Sequence, residues 1–341
     1  MIKIVIVGMS GGTHLGDAFK KAAIGLGISD ASLSISKDAY DGPRFLQRMS
    51  WRFLAKRPLH LNKFSQTLLD LCNKIKPKYL LASGIAPINR RVLQELRIQG
   101  VKCINFLTDD PFNPAHKASF FLKALEEYDF IFTPRQANQL ELHHLTGKTV
   151  EYLPFGYDPE LFYPDLPKSE NQHVYSSEVV FAGGGDLDRV PYISALLQSG
   201  IKVGLYGGFW DRYPETKFAA RGLADLQTLR YALTTSKISL CLVRRANRDG
   251  HVMRTFEVPA VGTCMLTEDT ADHRRIFGDE GQAVLYFKTA TEMVEKARWL
   301  LKHDAERLRM AQTAHLLITQ GKNTYADRLQ AMLEAASCLL R

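Results

Sequence analysis

The stretch Asn247–Met265, NRDGHVMRTFEVPAVGTCM, holds the most suggestive polar side chains in the sequence. It follows an apolar run, Ile238–Val243, that reads as a buried strand. A polar loop through Gly250 and His251 then leads into a short helical pattern, Thr255–Val261, which Gly262 ends. In an open α/β sheet, ligands gather at the carboxyl ends of the strands. A helix start there offers free backbone N–H groups and a positive dipole end, suited to a diphosphate. Arg254 can add a charge-assisted bond to the same phosphates. Glu257 lies three residues further on, so one helix face can present both side chains. Its carboxylate can accept from two adjacent hydroxyls, as a ribose diol would require. The plainer alternative is an Arg254–Glu257 pair on a surface helix; the position after a strand end favours the ligand.

Phe181–Arg189, FAGGGDLDR, is a second candidate. Gly183, Gly184 and Gly185 let backbone approach a ligand closely or let two domains close on one another, and Arg189 is either a phosphate ligand or a solvated arginine at a helix start. The string is neither GxGxxG nor a P-loop. Tyr206-Gly207-Gly208-Phe209-Trp210 ends another strand, with its aromatics either near a base or packed into a turn. Arg244, Arg245 and Arg248 flank the first loop; at least one of them can meet phosphate, although for each taken separately a solvated charge is the plainer reading.

In the N-terminal half, Gly8–Gly16 (GMSGGTHLG) supplies Gly12 and His14, followed by Asp17. Histidine titrates near neutral pH, so His14 suits a general base acting on a hydroxyl, the plainer alternative being a surface-loop histidine. Asp109-Asp110-Pro111 is a second source of a base or substrate-orienting carboxylate, or else a turn before proline. A divalent cation there is a weaker alternative. Asp129 reads as a structural cap. His143-His144 lack partners at metal spacing and read as surface residues, so no metal site is expected.

These residues need a scaffold of strand, glycine loop and helix, repeated. Strands are expected at Lys3–Val7, Tyr79–Ala82, Lys102–Leu107, Phe130–Thr133 and Val150–Leu153, with helices at Asp17–Leu26, Lys63–Ile75, Ile88–Gln99, Ala118–Glu126 and Arg135–Leu145. The proline-rich and polar stretch from Pro154 to Ser177 is the candidate linker. The pattern restarts with strands Glu178–Ala182, Lys202–Tyr206, Ile238–Val243, Cys264–Thr267 and Ala283–Phe287. Helices follow at Val190–Gln198, Leu223–Thr234, Thr255–Val261, Ala290–His303, Ala305–Gln320 and Tyr325–Leu340. This is an α/β chain of two Rossmann-like halves. The expected boundaries are 1–160, 176–322 and a terminal helix at 323–341.

With 341 residues, 45% hydrophobic and 23% charged, the chain reads as globular and long enough for two domains. No apolar run has the length of a membrane-spanning helix. Its five cysteines form no CxxC and lie mostly in apolar runs, as buried thiols of a cytoplasmic protein do. The net charge of +8 fits work on phosphorylated substrates, or peripheral contact with the anionic inner face of a membrane, or plain solubility. Dispersed basic residues without interleaved aromatics argue against nucleic acid.

Arg254-Thr255-Phe256-Glu257 with Gly262 resembles the donor-site signature of GT-B glycosyltransferases. More narrowly, the chain resembles the CgeB-like (spore maturation protein) glycosyltransferases through NFLTDDP at 105–111, EYDFIFTP at 127–134, LPFGYDPELFYP at 153–164 and TYADRL at 324–329. The resemblance implies two Rossmann-like domains facing across a cleft, with a C-terminal helix returning to the first. It implies a nucleotide-sugar donor on the C-terminal domain, near Gly184, Arg189, Gly207, Gly250, His251, Arg254, Thr255 and Glu257. Acceptor contacts would fall to Gly12, Asp17 and Asp109, and the catalytic base would be His14 or Asp110. The acceptor would be a glycan, a lipid-linked glycan or a protein, as in cell-surface polysaccharide synthesis. No cofactor is implied, the nucleotide-sugar being a substrate. Many retaining members carry two glutamates seven residues apart; here Gly250 takes the first position, which leaves the stereochemistry open. An epimerase or phosphorylase on the same scaffold, or an inactive nucleotide-sugar-binding protein, are the alternatives.

Overall fold

A computed structural model describes residues 2–338. The chain forms two units. The N-terminal unit takes the chain up to Pro154, the segment Ala246–Arg248, and the chain from Tyr325 onward; the C-terminal unit takes Phe155–Arg245 and Asp249–Thr324.

The N-terminal sheet holds β1 (Lys3–Gly8), β2 (Asp30–Ile35), β3 (Tyr79–Ser83), β4 (Lys102–Phe106), β5 (Phe130–Thr133) and β6 (Val150–Tyr152). Their order is β2-β1-β3-β4-β5-β6, with every pair parallel. Ile4–Val7 are fully buried, as a parallel strand covered on both faces must be. The edge strand β2, DASLSI, was not expected: it is half-buried along most of its length and therefore carries no apolar run. The helices are α1 (Leu15–Gly25), α2 (Arg44–Phe53), α3 (Leu61–Ile75), α4 (Arg90–Ile98), α5 (Ser119–Leu125) and α6 (Gln136–Thr146). Asn89 caps α4 by accepting from the Val92 N–H at 2.9 Å, and Gly147 ends α6 at φ +67°.

The C-terminal sheet holds β7 (Val179–Ala182), β8 (Val203–Tyr206), β9 (Ile238–Cys241), β10 (Cys264–Glu268) and β11 (Leu285–Phe287). Their order is β11-β10-β9-β7-β8, again all parallel. Its helices are α7 (Gln172–Tyr175), α8 (Val190–Gln198), α9 (Leu226–Thr235), α10 (Arg254–Ala260), α11 (Ala271–Phe277), α12 (Ala290–Lys302) and α13 (Asp304–Thr319). The stretch 155–167, expected as linker, is packed into this unit. Phe155, Tyr157 and Phe162 are buried, and Tyr157 forms a parallel bridge with Thr324.

The last helix, α14 (Tyr325–Cys338), belongs to the N-terminal unit and packs along α1. Tyr325 meets Phe19 edge-on at 5.6 Å, Arg328 donates to the Pro154 carbonyl at 2.9 Å, and Leu329 is fully buried. The expected extension to Leu340 lies outside the described residues. Cys72, Cys103, Cys241 and Cys264 are buried thiols, and burial pushes their pKa values up; the side chain of Cys338 is not among those described. Among the described residues no helix is long and apolar enough to cross a membrane.

Each sheet has one place where the chain reverses its direction of growth. It lies between β1 and β3 in the first and between β7 and β9 in the second, and such switch points open a crevice at the strand ends. After β1 the loop closes on itself. A Cβ on Gly16 would stand 2.3 Å from the Met9 carbonyl oxygen, and one on Gly8 would stand 2.7 Å from Ser83 Oγ. Gly16→Ala should therefore cost about 1–3 kcal/mol of stability by urea unfolding; an unchanged curve would mean that the loop yields freely.

Candidate functional site

β7 and β9 run side by side in register, Val179 against Ile238 and Phe181 against Leu240. Beyond β7 the ladder continues into the glycines: Gly183 N–H donates to the Tyr206 carbonyl at 2.8 Å and Gly185 N–H to that of Gly208 at 2.9 Å. Gly207, at φ +145°, passes so close that a Cβ would stand 2.2 Å from the Gly183 oxygen. Trp210 is fully buried, donates to the same oxygen at 2.7 Å and packs edge-on against Phe181. For Trp210 the packed turn is thus the alternative observed, while Phe209 is exposed.

Arg189, at the start of α8, is only 7% exposed. One guanidinium nitrogen donates to the Gly184 carbonyl at 3.0 Å, and Asp186 approaches no closer than 3.6 Å. Its Nε is buried with no hydrogen-bond partner among the described residues. Burial lowers its pKa, yet an arginine remains charged at neutral pH. A buried cation with an unspent donor suits an anionic ligand.

After β9 the chain passes Gly250 and enters α10. Glu257 is 1% exposed and pairs with Arg254, whose side chain is 24% exposed and lies over the Phe162 ring. The pair exists, but not on a surface helix: Thr255–Ala260 are all buried, packed on β9, β10 and α13. His315 Nδ1 donates to the Pro259 carbonyl at 2.9 Å. Pro259 and Gly262, the latter at φ +80°, keep the helix short.

Two histidines hold this segment. His273 on α11 is fully buried; its Nδ1 faces the Glu268 carbonyl at 2.8 Å and so carries the proton, leaving Nε2 to accept from the Thr255 hydroxyl at 3.0 Å. The same hydroxyl accepts from the Val252 N–H at 3.1 Å. His251, 1% exposed, faces Asp272 through Nδ1 at 3.1 Å and accepts from the Phe155 N–H through Nε2 at 3.1 Å. Both of its nitrogens are engaged within the protein, so in this arrangement it positions the loop rather than offering itself to a ligand. A Cβ on Gly250 would stand 2.2 Å from Asp272 Oδ2. The place seven residues before Glu257 has no room for any side chain while Asp272 holds His251.

In the N-terminal unit, Asp17 accepts from the Gly11 N–H at 2.6 Å and from Ser10 Oγ at 3.0 Å, fixing the loop that carries Gly12 at φ +55°. His14 is exposed at the start of α1 and makes no capping bond. Asp109 is partly exposed, 4.0 Å from His116. Asp110 is 1% exposed and accepts from the Phe112 N–H, Asn138 and Arg248 at 2.9, 2.9 and 2.7 Å. Burial alone would raise its pKa, but these bonds outweigh it and hold the carboxyl below its ordinary value. Arg248 is held in turn by Glu141. Asp129 accepts from the Cys103 N–H at 2.8 Å and from Arg97, a structural cap.

One set of candidates therefore follows the carboxyl ends of three adjacent strands of the C-terminal sheet: Gly184, Arg189 and Gly207 after β7 and β8, and Gly250, His251, Arg254, Thr255 and Glu257 after β9. Sequence reasoning missed Asp272 and His273. Their helix, ADHRRIF, shows no apolar stripe; the one available signal was the cap at Thr270, which accepts from the His273 N–H at 3.0 Å. Among the described residues no three His, Cys, Asp or Glu side chains form a metal-binding group.

Residues 189–334 match a family model described as "Glycosyl transferase-like". No curated protein matches the sequence. Among solved structures, sucrose-phosphate synthase from Thermosynechococcus elongatus is similar with a TM-score of 0.68 at 12% identity, covering 100% of this chain and 99% of that one. HepE from Anabaena in complex with UDP-glucose gives 0.66 at 14% identity, with 99% and 100% covered. The UDP-GlcNAc 2-epimerase from Neisseria meningitidis bound to UDP-GlcNAc gives 0.55 at 12% identity, with 98% and 100% covered. At these identities the likeness is one of fold. The chain thus has the GT-B fold of these structures, and its residues 189–334 are similar to a glycosyl transferase-like family.

The neutral His273 makes a pH prediction. Desolvation lowers its pKa from 6.5 to about 4. Between these values the unfolded chain binds a proton that the folded chain refuses, so stability is lost as pH falls through that window, by about 3 kcal/mol in all. Urea unfolding between pH 7 and pH 4 should show this loss in the wild type and a smaller one in His273→Gln. Parallel curves would mean that the ring titrates normally in the fold.

Proposed function

We propose that the chain is a glycosyltransferase that draws its sugar from a nucleoside-diphosphate sugar bound by the C-terminal unit at the switch between β7 and β9. The observation that carries this reading is the carboxylate of Glu257, buried to 1% exposure on α10, the helix that follows the central strand β9, and charge-compensated by Arg254. An ionised carboxylate is an acceptor only, matched to the two hydroxyls of a ribose. Arg254 and the unspent donor of Arg189 would face the diphosphate. Positive groups set in place before reaction stabilise the charge that grows on the leaving diphosphate.

The acceptor would be a glycan, a lipid-linked glycan or a protein, met by Gly12, Asp17 and Asp109 of the N-terminal unit. His14 is the preferred base there. Asp110, held as an anion by Arg248 and Asn138, is a weaker base and better suited to orientation. The four stretches that resemble CgeB-like enzymes, together with the Arg254–Gly262 signature, support placing the chain in that branch. Because HepE is solved with UDP-glucose, uridine nucleotides are the first to test.

Glu257→Gln keeps the shape and removes the charge. It should weaken UDP or UDP-sugar binding about tenfold to a hundredfold by calorimetry, the worth of charge-assisted hydrogen bonds. Unchanged affinity would remove the donor assignment. An epimerase shares the fold, so products must be read too: a transferase releases UDP in proportion to added acceptor, whereas an epimerase converts the UDP-sugar without releasing UDP.

A further inference from the structure

Helix α2 packs almost none of its side chains into the protein. Of its ten residues Ser50 alone is buried. Phe45 is 70% exposed, Phe53 64% and Trp51 52%; Leu46, Met49 and the following Leu54 are exposed as well. Six large apolar side chains within ten residues form a patch rather than the scatter of single exposed residues normal on a surface. They are also ordered. Phe45, Met49 and Phe53 recur every fourth residue and form one row along the helix, while Arg44, Arg48 and Arg52 form the adjoining row. Lys56 and Arg57 follow, Lys56 lying over the Trp51 ring at 5.4 Å. From Gly42 to Leu69 the sequence holds six Lys and Arg and no Asp or Glu, so nothing on this segment neutralises them.

We propose that α2 is a membrane-docking helix that lies in the interface of an anionic bilayer. Its Phe45–Met49–Phe53 row would enter the acyl boundary, and its arginine row would meet the lipid phosphates. The charge selects this occupant. A second copy of the chain, paired about a twofold axis through this face, would set one arginine row against another. A bilayer rich in anionic lipid answers both rows at once, and an exposed tryptophan beside them suits the headgroup region. This inference goes beyond the donor-site reading and does not rest on it.

The test is co-sedimentation of the full chain with phosphatidylcholine vesicles, with and without phosphatidylglycerol. The wild type should bind the anionic vesicles, bind neutral ones far less, and lose binding as salt is raised. Arg44→Gln/Arg48→Gln/Arg52→Gln should lose about fivefold in affinity per charge removed. Phe45→Ser/Met49→Ser/Phe53→Ser should abolish binding, and both variants should keep the wild-type thermal transition because the replaced side chains are exposed. Glu257→Gln should bind vesicles like the wild type, which separates this inference from the donor reading. Wild-type binding by either triple variant would overturn the proposal. So would a wild type that ignores anionic vesicles, or one that instead forms a dimer dispersed by the apolar triple variant.

Discussion

A carboxylate taken out of water must be compensated or neutralised, and this constraint governs the C-terminal unit. Glu257 is nearly fully buried, and its compensation comes from Arg254 one helical turn earlier. The pair works only if α10 starts where it does. That start is held by Thr255, whose hydroxyl joins the Val252 N–H to a neutral, fully buried His273. The loop before it is held by His251 between Asp272 and the Phe155 N–H. Because Asp272 fills the space beside residue 250, only glycine fits there. The segment that carries the buried pair thus includes contacts to a histidine kept neutral by its own desolvation, a second histidine with both nitrogens engaged, and a glycine whose place Asp272 leaves no room to substitute.

The two units use one plan with different contents. Each is a parallel sheet with a single reversal, and each places a glycine-rich turn at that reversal where side chains would collide with neighbouring backbone. At the C-terminal reversal the turn leaves Arg189 buried with a donor to spare. In the N-terminal unit the comparable polar groups are largely spent: Asp17, after β1, on its own loop, and Asp110, after β4, on Asn138 and Arg248.

The strands were legible because a parallel strand buried on both faces is written as an unbroken apolar run. KIVIVG and the run at Val179–Ala182 needed no further context, and the glycines after them marked the loops. The spacing of Arg254 and Glu257, and their position after Ile238–Cys241, were likewise visible in one dimension. So was the second α/β pattern, since a parallel sheet requires crossover helices.

Other features depend on residues distant in sequence, and only the tertiary structure decided them. The edge strand Asp30–Ile35 is half-buried and lacks a pattern; it exists because β1 offers it a ladder. That the Arg254–Glu257 pair sits inside the unit follows from α13 covering α10, and that position 250 admits no side chain follows from Asp272, twenty-two residues later. The arginine and apolar rows of α2 were present in the sequence, but a row of phenylalanines ordinarily faces a core. Exposure is a property of what else packs nearby, and no local spacing can state it.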